Sequence, residues 1–499
     1  MNPKTSQVYL GIDLGAESGR VMAGLWDGQR MRLEELHRFP NGPIEVAGTL
    51  RWDVLRLWAE IQTGLAIAAK QFGSSVVSIG VDTWALDYVL LSKSNEMLGL
   101  PFCYRDARTR GLVAETLQRI SRKEIFAATG LQFMEINTLY QWIAHHRASP
   151  EIFAAADSFL MIPDWLNWCL SGVKAIEFTN ATTTQFLHPQ TRQWSTNLLK
   201  KLGLPTRILP TLIEPGTRLG ELRESIATRT GLARVPIVAP ATHDTGSAVV
   251  GVPTRHTGKS NWAYISSGTW SLVGIETRQP CLSADSLAMN FTNEGGVDGT
   301  WRVLKNVMGL WLVQQCRRAF EGRGGTADYA QLVALAEKAP PFKTLVDPDD
   351  ARFLNPPDMP AALQSFCRET GQSIPETEGE LIRCTLESLA LKYASVLEQL
   401  ERISGERIEV VHIVGGGSRN ALLNQLTADA CGRPVLAGPA EATVLGNLLV
   451  QARSMGELKS LSEIRTAVGN SAELVTFEPR TNAIDSWAEA RARFARFTE

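Results

Sequence analysis

The stretch Gly11-Ile12-Asp13-Leu14-Gly15-Ala16-Glu17-Ser18-Gly19-Arg20 decides how this chain is read. Apolar Val8, Tyr9 and Leu10 precede it, and Val21, Met22, Ala23, Leu25 and Trp26 follow, so the glycines close a hairpin between two strands. A dinucleotide fingerprint would need a helix there. Gly15, Ser18 and Gly19 let backbone N–H groups crowd toward one point, an anion cradle made from main chain alone. Asp13 ends the first strand, where its carboxylate would repel a phosphate unless a Mg²⁺ lay between them. On these residues alone the segment is either a nucleotide-phosphate hairpin or an ordinary glycine-containing one.

The rest of the composition narrows the class. A chain of 499 residues, 44% hydrophobic and 20% charged, is ordinary globular material for about two to four domains. Fifty Lys and Arg against 52 Asp and Glu leave a net charge of −2 without a basic block, which argues against a nucleic-acid partner. The N-terminal M-N-P-K-T-S-Q runs into a strand without an apolar leader or membrane span, so a cytoplasmic protein is expected. The seven cysteines (103, 169, 281, 316, 367, 384, 431) are odd in number and never spaced as C-x-x-C, which suggests buried thiols. Cys367 and Cys384 could pair only if a loop and a helix brought them together.

Working outward from the hairpin, strand patterns near 20–27 and 31–38, a helical pattern over 53–72 and the buried run V-V-S-I-G-V-D at 76–82 predict an α/β layout. Residues 108–170 are mostly helical, with a helix start at Ile162-Pro163. Residues 235–248 read as a strand, a loop and a helix of small residues. The polar segment T-R-H-T-G-K-S-N then places a domain boundary near 250–258. Past it, A-Y-I-S-S-G-T-W-S-L-V-G-I at 263–275 repeats the strand, Ser/Gly turn and strand of residues 8–25. This fits a duplicated domain whose two hairpins face a cleft. A long helix over 376–403, a strand at 408–414, the turn Gly415-Gly416-Gly417-Ser418 and helices from 419 and 443 complete the second half. The expected division is residues 1–252, 253–454 and a tail, 455–499, whose amphipathic helix packs on the first domain.

Several side chains could carry chemistry. Asp244 follows a buried strand, lies between His243 and Thr245 and precedes Gly246, which suits either a general base or a helix N-cap. Asp82, Trp84 and Asp87 combine carboxylates for hydroxyl pairs with an aromatic face for a sugar's C–H surface; the alternative is a hairpin with two exposed acids. Cys103-Tyr104-Arg105-Asp106-Ala107-Arg108 is a solvated helix start or a wall of the same site. Gly415 to Ser418, after a strand and before a helix, let backbone approach a nucleotide closely. Met308, Leu310, Trp311 and Leu312 read as core, with Asn306 and Gln314 as polar interruptions.

Taken in order, D-L-G-A-E-S-G-R, V-D-T-W-A-L-D-Y, Y-R-D-A-R-T-R-G, T-H-D-T-G-S-A, S-S-G-T-W-S-L, N-E-G-G, K-N-V-M-G-L-W and V-G-G-G-S-R-N resemble the FGGY carbohydrate kinases over about residues 8–480. N-E-G-G with R-V-L-K-N-V-M-G-L-W is similar to the branch acting on L-rhamnulose. The resemblance implies two duplicated ribonuclease-H-like domains of the actin/hexokinase-like ATPase kind, working on ATP with Mg²⁺ and a small ketose as monomer or homodimer. It implies transfer of a phosphoryl group to the C1 hydroxyl, with Asp244 as base. Ala16, Glu17, Ser18, Gly19 and Arg20 match the first phosphate hairpin, Asp13 the Mg²⁺ position, and Thr269, Gln314 and Gly416 further nucleotide positions. His243, Thr245, Asn306 and residue 85 match sugar-contacting positions. Residue 85 is Ala where the family's W-G-x-D turn commonly has Gly, so a methyl lies where backbone normally meets the sugar.

Overall fold

The computed structural model describes residues 7–498. Met1 to Ser6 and Glu499 lie outside the described residues, so the expectation drawn from the N-terminal residues rests on sequence alone. The chain divides into two compact units. The first comprises the described residues up to Thr257, then Thr277–Val303 and Ala442–Ala472; the second comprises Gly258–Glu276, Leu304–Glu441 and the residues from Glu473 onward.

In the first unit a six-stranded sheet runs in the order Thr217–Glu221, Pro236–Ala239, Val76–Thr83, Gln7–Leu14, Ser18–Trp26, Met31–Pro40. Gln7–Leu14 pairs antiparallel with Ser18–Trp26 and parallel with Val76–Thr83, the register that sets Asp13 beside Asp82. Both central strands are buried almost end to end, as parallel strands covered on both faces must be. The helix Val54–Phe72 starts where the Asp53 side chain accepts from Arg56 N, and it stops at Gly73, whose φ is 52°. Leu57, Ile61, Leu65 and Ala68 recur at helical spacing along its buried face, and each fully buried Leu or Ile side chain there contributes about 1.5–3 kcal/mol. Gly64 lets that face close on the sheet, because a Cβ there would run into Val21.

The second unit repeats the opening motif. Trp262–Ser267 pairs antiparallel with Trp270–Thr277 and parallel with Val410–Val414, followed by Val435–Ala437 and an antiparallel Val475–Phe477. A 27-residue helix, Glu378–Ser404, begins with a capping box of Thr377 and Glu380 and ends at Gly405, φ 73°. All seven cysteines are free thiols.

Two expectations about organisation are corrected. Residues 253–454 do not form one continuous domain: the helix Ala442–Ser454 belongs to the first unit, where Gln451 Nε2 donates to Leu10 O at 3.1 Å. The tail divides: Met455–Ala472 joins the first unit, as expected, but the residues from Glu473 onward belong to the second. Its helix Ile484–Ala495 buries Trp487, Ala490 and Phe494 within the second unit, where Arg491 donates to Ala430 O at 2.7 Å and Trp487 meets Phe342 edge-on. An apolar stripe shows that a helix has a buried face, but it does not say which core receives it.

Candidate active site

The first hairpin is fastened on both sides. Gly15 N–H donates to Ser18 O at 2.9 Å across the turn, and Asn41 holds it from outside, its side chain donating to Gly15 O at 2.7 Å and its N–H to Glu17 O at 2.9 Å. Gly19 is required for space, since a Cβ would collide with Phe39 and Leu14. Ala16 and Ser18 are partly open and Glu17 is exposed. Arg20 forms an ion pair with Asp13, its partner in the hairpin register.

Beside Asp13 lies Asp82, which is fully buried. Asn447 Nδ2 donates to Asp82 Oδ2 at 2.6 Å, while Oδ1 has no hydrogen-bond partner. Gln451 Nε2 donates to Asn447 Oδ1 at 2.7 Å and Ser78 Oγ donates to Gln451 Oε1 at 2.7 Å, so one helix anchors this acid through a polar chain. Burial, reinforced by neighbouring Asp13, pushes the Asp82 carboxyl well above the usual carboxylate range. Sequence reading missed Asn447 and Gln451. Their only signal is that they interrupt the apolar run G-N-L-L-V-Q-A at helical spacing.

The end of Val76–Thr83 meets the loop that carries Asp244: Thr83 N–H donates to Thr242 O at 2.9 Å, and Thr83 bridges His243. His243 occupies the N-cap of Asp244–Val250, so Asp244 is the first residue inside the helix and not its cap. Asp244 Oδ1 instead accepts from Thr245 N–H at 2.6 Å, and 28% of the side-chain surface stays open. Burial raises the Asp244 carboxyl to about 6; His243 draws it down and Asp13 lifts it again. The loop is pinned by buried Glu177, which accepts from Thr179 N and Thr242 N, each at 2.8 Å, and from both threonine hydroxyls. Thr179 Oγ1 in turn accepts from His243 N–H at 3.2 Å.

Around His243 stand Glu294 and Arg302, inside motifs singled out in the sequence but without an assigned role. Arg302 is fully buried; it donates to Gly295 O and Thr245 Oγ1, each at 2.9 Å, and to His243 Nδ1 at 3.2 Å. Glu294 Oε2 comes within 3.1 Å of Arg302 Nη2 and 3.3 Å of His243 Nδ1. Burial would raise the Glu294 carboxyl, but the Arg302 guanidinium and His243 outweigh it and hold it below the ordinary value.

The third cluster departs from one of its two sequence readings. Asp82 and Asp87 are both fully buried, so the hairpin with two exposed acids is excluded. Asp87 Oδ2 accepts from Trp52 Nε1 at 2.5 Å, Trp84 Nε1 at 3.0 Å and Tyr104 N at 3.2 Å, and Oδ1 accepts from Gln141 at 2.9 Å. Its oxygens are thus spent on orienting two indoles, whose ring centroids lie 4.3 Å apart. Burial raises the Asp87 carboxyl to about 6 despite these donors. Ala85 is buried in the same turn.

Thr269, Asn306, Gln314 and Gly416 fall in the second unit. There Thr269 O accepts from Trp311 N–H at 3.0 Å, which sets the 266–271 hairpin against the first turn of the helix Trp311–Gly322 and hence near Gln314. Gln314 Oε1 is buried without a hydrogen-bond partner. The triple-glycine turn closes on the same hairpin, since a Cβ on Gly415 would lie 2.9 Å from Ser267 O. Asn306 lies half-buried on Trp301–Met308.

Residues 8–251 match the N-terminal domain model of the FGGY family of carbohydrate kinases, and residues 263–455 match the C-terminal domain model. A rhamnulokinase of Bacteroides thetaiotaomicron is 43% identical over 488 residues, covering 98% of this chain and 99% of its own. A rhamnulokinase of Enterococcus faecalis is 44% identical, covering 97% and 96%. Among solved structures, a xylulose kinase from Lactobacillus acidophilus superimposes with a TM-score of 0.82 at 15% identity, over 98% of this chain and 97% of that one. Plasmodium falciparum glycerol kinase with ADP gives 0.78 at 16% identity, over 98% and 97%. These two share the fold, a two-domain mixed-sheet architecture consistent with the actin/hexokinase-like ATPases. The chain belongs to the FGGY family of carbohydrate kinases and is a carbohydrate kinase.

Proposed function

We propose that this kinase phosphorylates L-rhamnulose at its C1 hydroxyl, with ATP and Mg²⁺, giving L-rhamnulose 1-phosphate and ADP. The sugar is suggested by relatives named rhamnulokinase that align over nearly the whole chain at more than 40% identity. The observation that carries the reaction is Asp244, a partly open carboxylate at a helix start with its pKa near 6. A base poised there is deprotonated at neutral pH and still basic enough to take a hydroxyl proton.

Asp244 accepts the proton of the C1 hydroxyl as its oxygen bonds to the terminal phosphorus and the bond between that phosphorus and the ADP oxygen breaks. His243, Thr245, Asn306 and the indole of Trp84 align the sugar, with buried Asp87 fixing the indole. When bound, MgATP supplies the phosphoryl group and the cation that offsets its charge. The residues fit such a group. Asp13 beside Asp82, with the latter's Oδ1 unpartnered, is the one-or-two-carboxylate arrangement that Mg²⁺ shares with phosphates and water. No set of three or more His, Cys, Asp or Glu is placed for a metal among the described residues, which suits an ion that arrives with its nucleotide. Ala16 to Arg20, Thr269, Gln314 and Gly416 would hold the nucleotide.

Among the described residues no helix is long and apolar enough to cross a membrane. We place the enzyme in the cytoplasm, acting on a free sugar. An ADP-release assay over L-rhamnulose, L-fuculose and L-xylulose tests the substrate. The highest kcat/KM is expected for L-rhamnulose. A preference for another ketose would trace to Ala85, and sugar binding without ADP release would point to a non-catalytic member.

A further inference from the structure

Glu177 is a fully buried carboxylate with no role in the chemistry above, and it breaks a local rule. It is the N-cap of the helical turn Phe178–Ala181, a place that Ser, Thr, Asp and Asn fill best because their short side chains curl back onto the first N–H groups of the turn. Capping occupies one oxygen only: Oε1 accepts from Thr179 N–H at 2.8 Å. The extra methylene frees the other oxygen to meet a segment 65 residues further along the chain. Oε2 accepts from Thr242 N–H at 2.8 Å, from the Thr242 hydroxyl at 2.9 Å and from the Thr179 hydroxyl at 2.5 Å. With its hydrogen so committed, the Thr179 hydroxyl accepts from His243 N–H at 3.2 Å. Both backbone N–H groups immediately before Asp244 therefore end on Glu177, one directly and one through Thr179. Filled lone pairs make the buried carboxylate tolerable, and the same bonds fix the turn that precedes Asp244.

We propose that Glu177 is a positioning residue: its Oε2 sets the backbone from which Asp244 projects, and so places the carboxylate assigned to the sugar's proton. This inference rests on the reading of Asp244 as the base. Two conservative variants separate that role from capping. Glu177→Asp keeps a preferred cap but is a methylene too short to hold Thr242 as well. Glu177→Gln keeps the length, and its one carbonyl oxygen can take the three donors at Oε2 while the cap loses its acceptor. Positioning makes Asp the harmful substitution and Gln the milder one; capping alone gives the reverse order.

Steady-state kinetics and backbone amide hydrogen exchange test it. Glu177→Asp should lower kcat at least about tenfold with KM for ATP within about twofold, Glu177→Gln should lose less, and in an Asp244→Asn background Glu177→Asp should change kcat by less than about twofold. The amides of Thr242 and His243 should exchange at least about tenfold faster in Glu177→Asp than in the wild type. Thr179→Val, which removes the intermediate hydroxyl at nearly constant shape, should speed exchange at His243 and lower kcat, and it carries the test where Glu177→Asp does not fold. Near-wild-type kcat in folded Glu177→Asp, a greater loss for Gln than for Asp, unaltered exchange, or full additivity with Asp244→Asn would overturn the proposal. A failure of the base assignment shows itself separately, as near-wild-type turnover by Asp244→Asn alone, and the exchange rates are read without turnover.

Discussion

At the residue scale, the lesson of this site is how many carboxylates are asked to do different jobs by their surroundings. Asp244 keeps an open edge; Asp82 is sealed beneath Asn447; Asp87 is surrounded by four donors. Asp87 makes the difference measurable. Its folded pKa near 6 exceeds the ordinary carboxylate value near 4, so the folded state holds its proton more tightly than the unfolded chain. That contribution is fully present below about pH 4 and is lost as pH rises toward 6, amounting to about 3 kcal/mol over the window. Asp87→Asn should remove this pH dependence and cost about 1–3 kcal/mol, because one amide cannot accept from two indoles, a backbone N–H and Gln141 together. Thermal unfolding of both proteins from pH 4 to 8 is the measurement. An unchanged midpoint across that range would show that Asp87 is not the organiser of the indole pair.

At the scale of elements, each glycine proposed to lie near the nucleotide answers a different demand. Gly15 closes a tight turn, Gly19 makes room for Phe39, and Gly415 takes φ 82° against Ser267. Gly416 differs: its φ is ordinary for any residue, and a Cβ there meets nothing within 4 Å. The fold itself makes no demand for glycine at 416. Gly416→Ala should therefore leave thermal stability within about 1 kcal/mol, while raising KM for ATP severalfold if the nucleotide must lie against that backbone. An unaltered KM for ATP in a stable variant would remove Gly416 from the nucleotide site.

At the scale of the molecule, local pattern carried far, and it failed where the chain returns from a distance. The helix expected over 53–72 runs Val54–Phe72, the strand over 76–82 runs Val76–Thr83, and the turn after 414 opens a helix as its glycines require. The hairpin beginning at Gly11 was legible because a strand, a glycine turn and a terminal carboxylate are neighbours in sequence. Asn447, Gln451, Glu294 and Arg302 were not, since their partners lie tens to hundreds of residues away and only folding brings them together. The helix Ala442–Ser454 was misplaced for the same reason: a continuous stretch of chain need not belong to one unit. Asp244 was legible as a candidate base or cap, and the structure removes the cap reading by placing His243 there.

The central claim is that Asp244 takes the sugar's proton. Rapid-quench phosphoryl transfer from ATP to L-rhamnulose, in wild type and Asp244→Asn with nucleotide binding measured in parallel, tests it most directly. We expect the variant to bind ATP as the wild type does and to transfer at least about a hundredfold more slowly. We also expect the wild-type rate to fall as pH drops below about 6 and Asp244 becomes protonated. Near-wild-type transfer by Asp244→Asn would contradict the account.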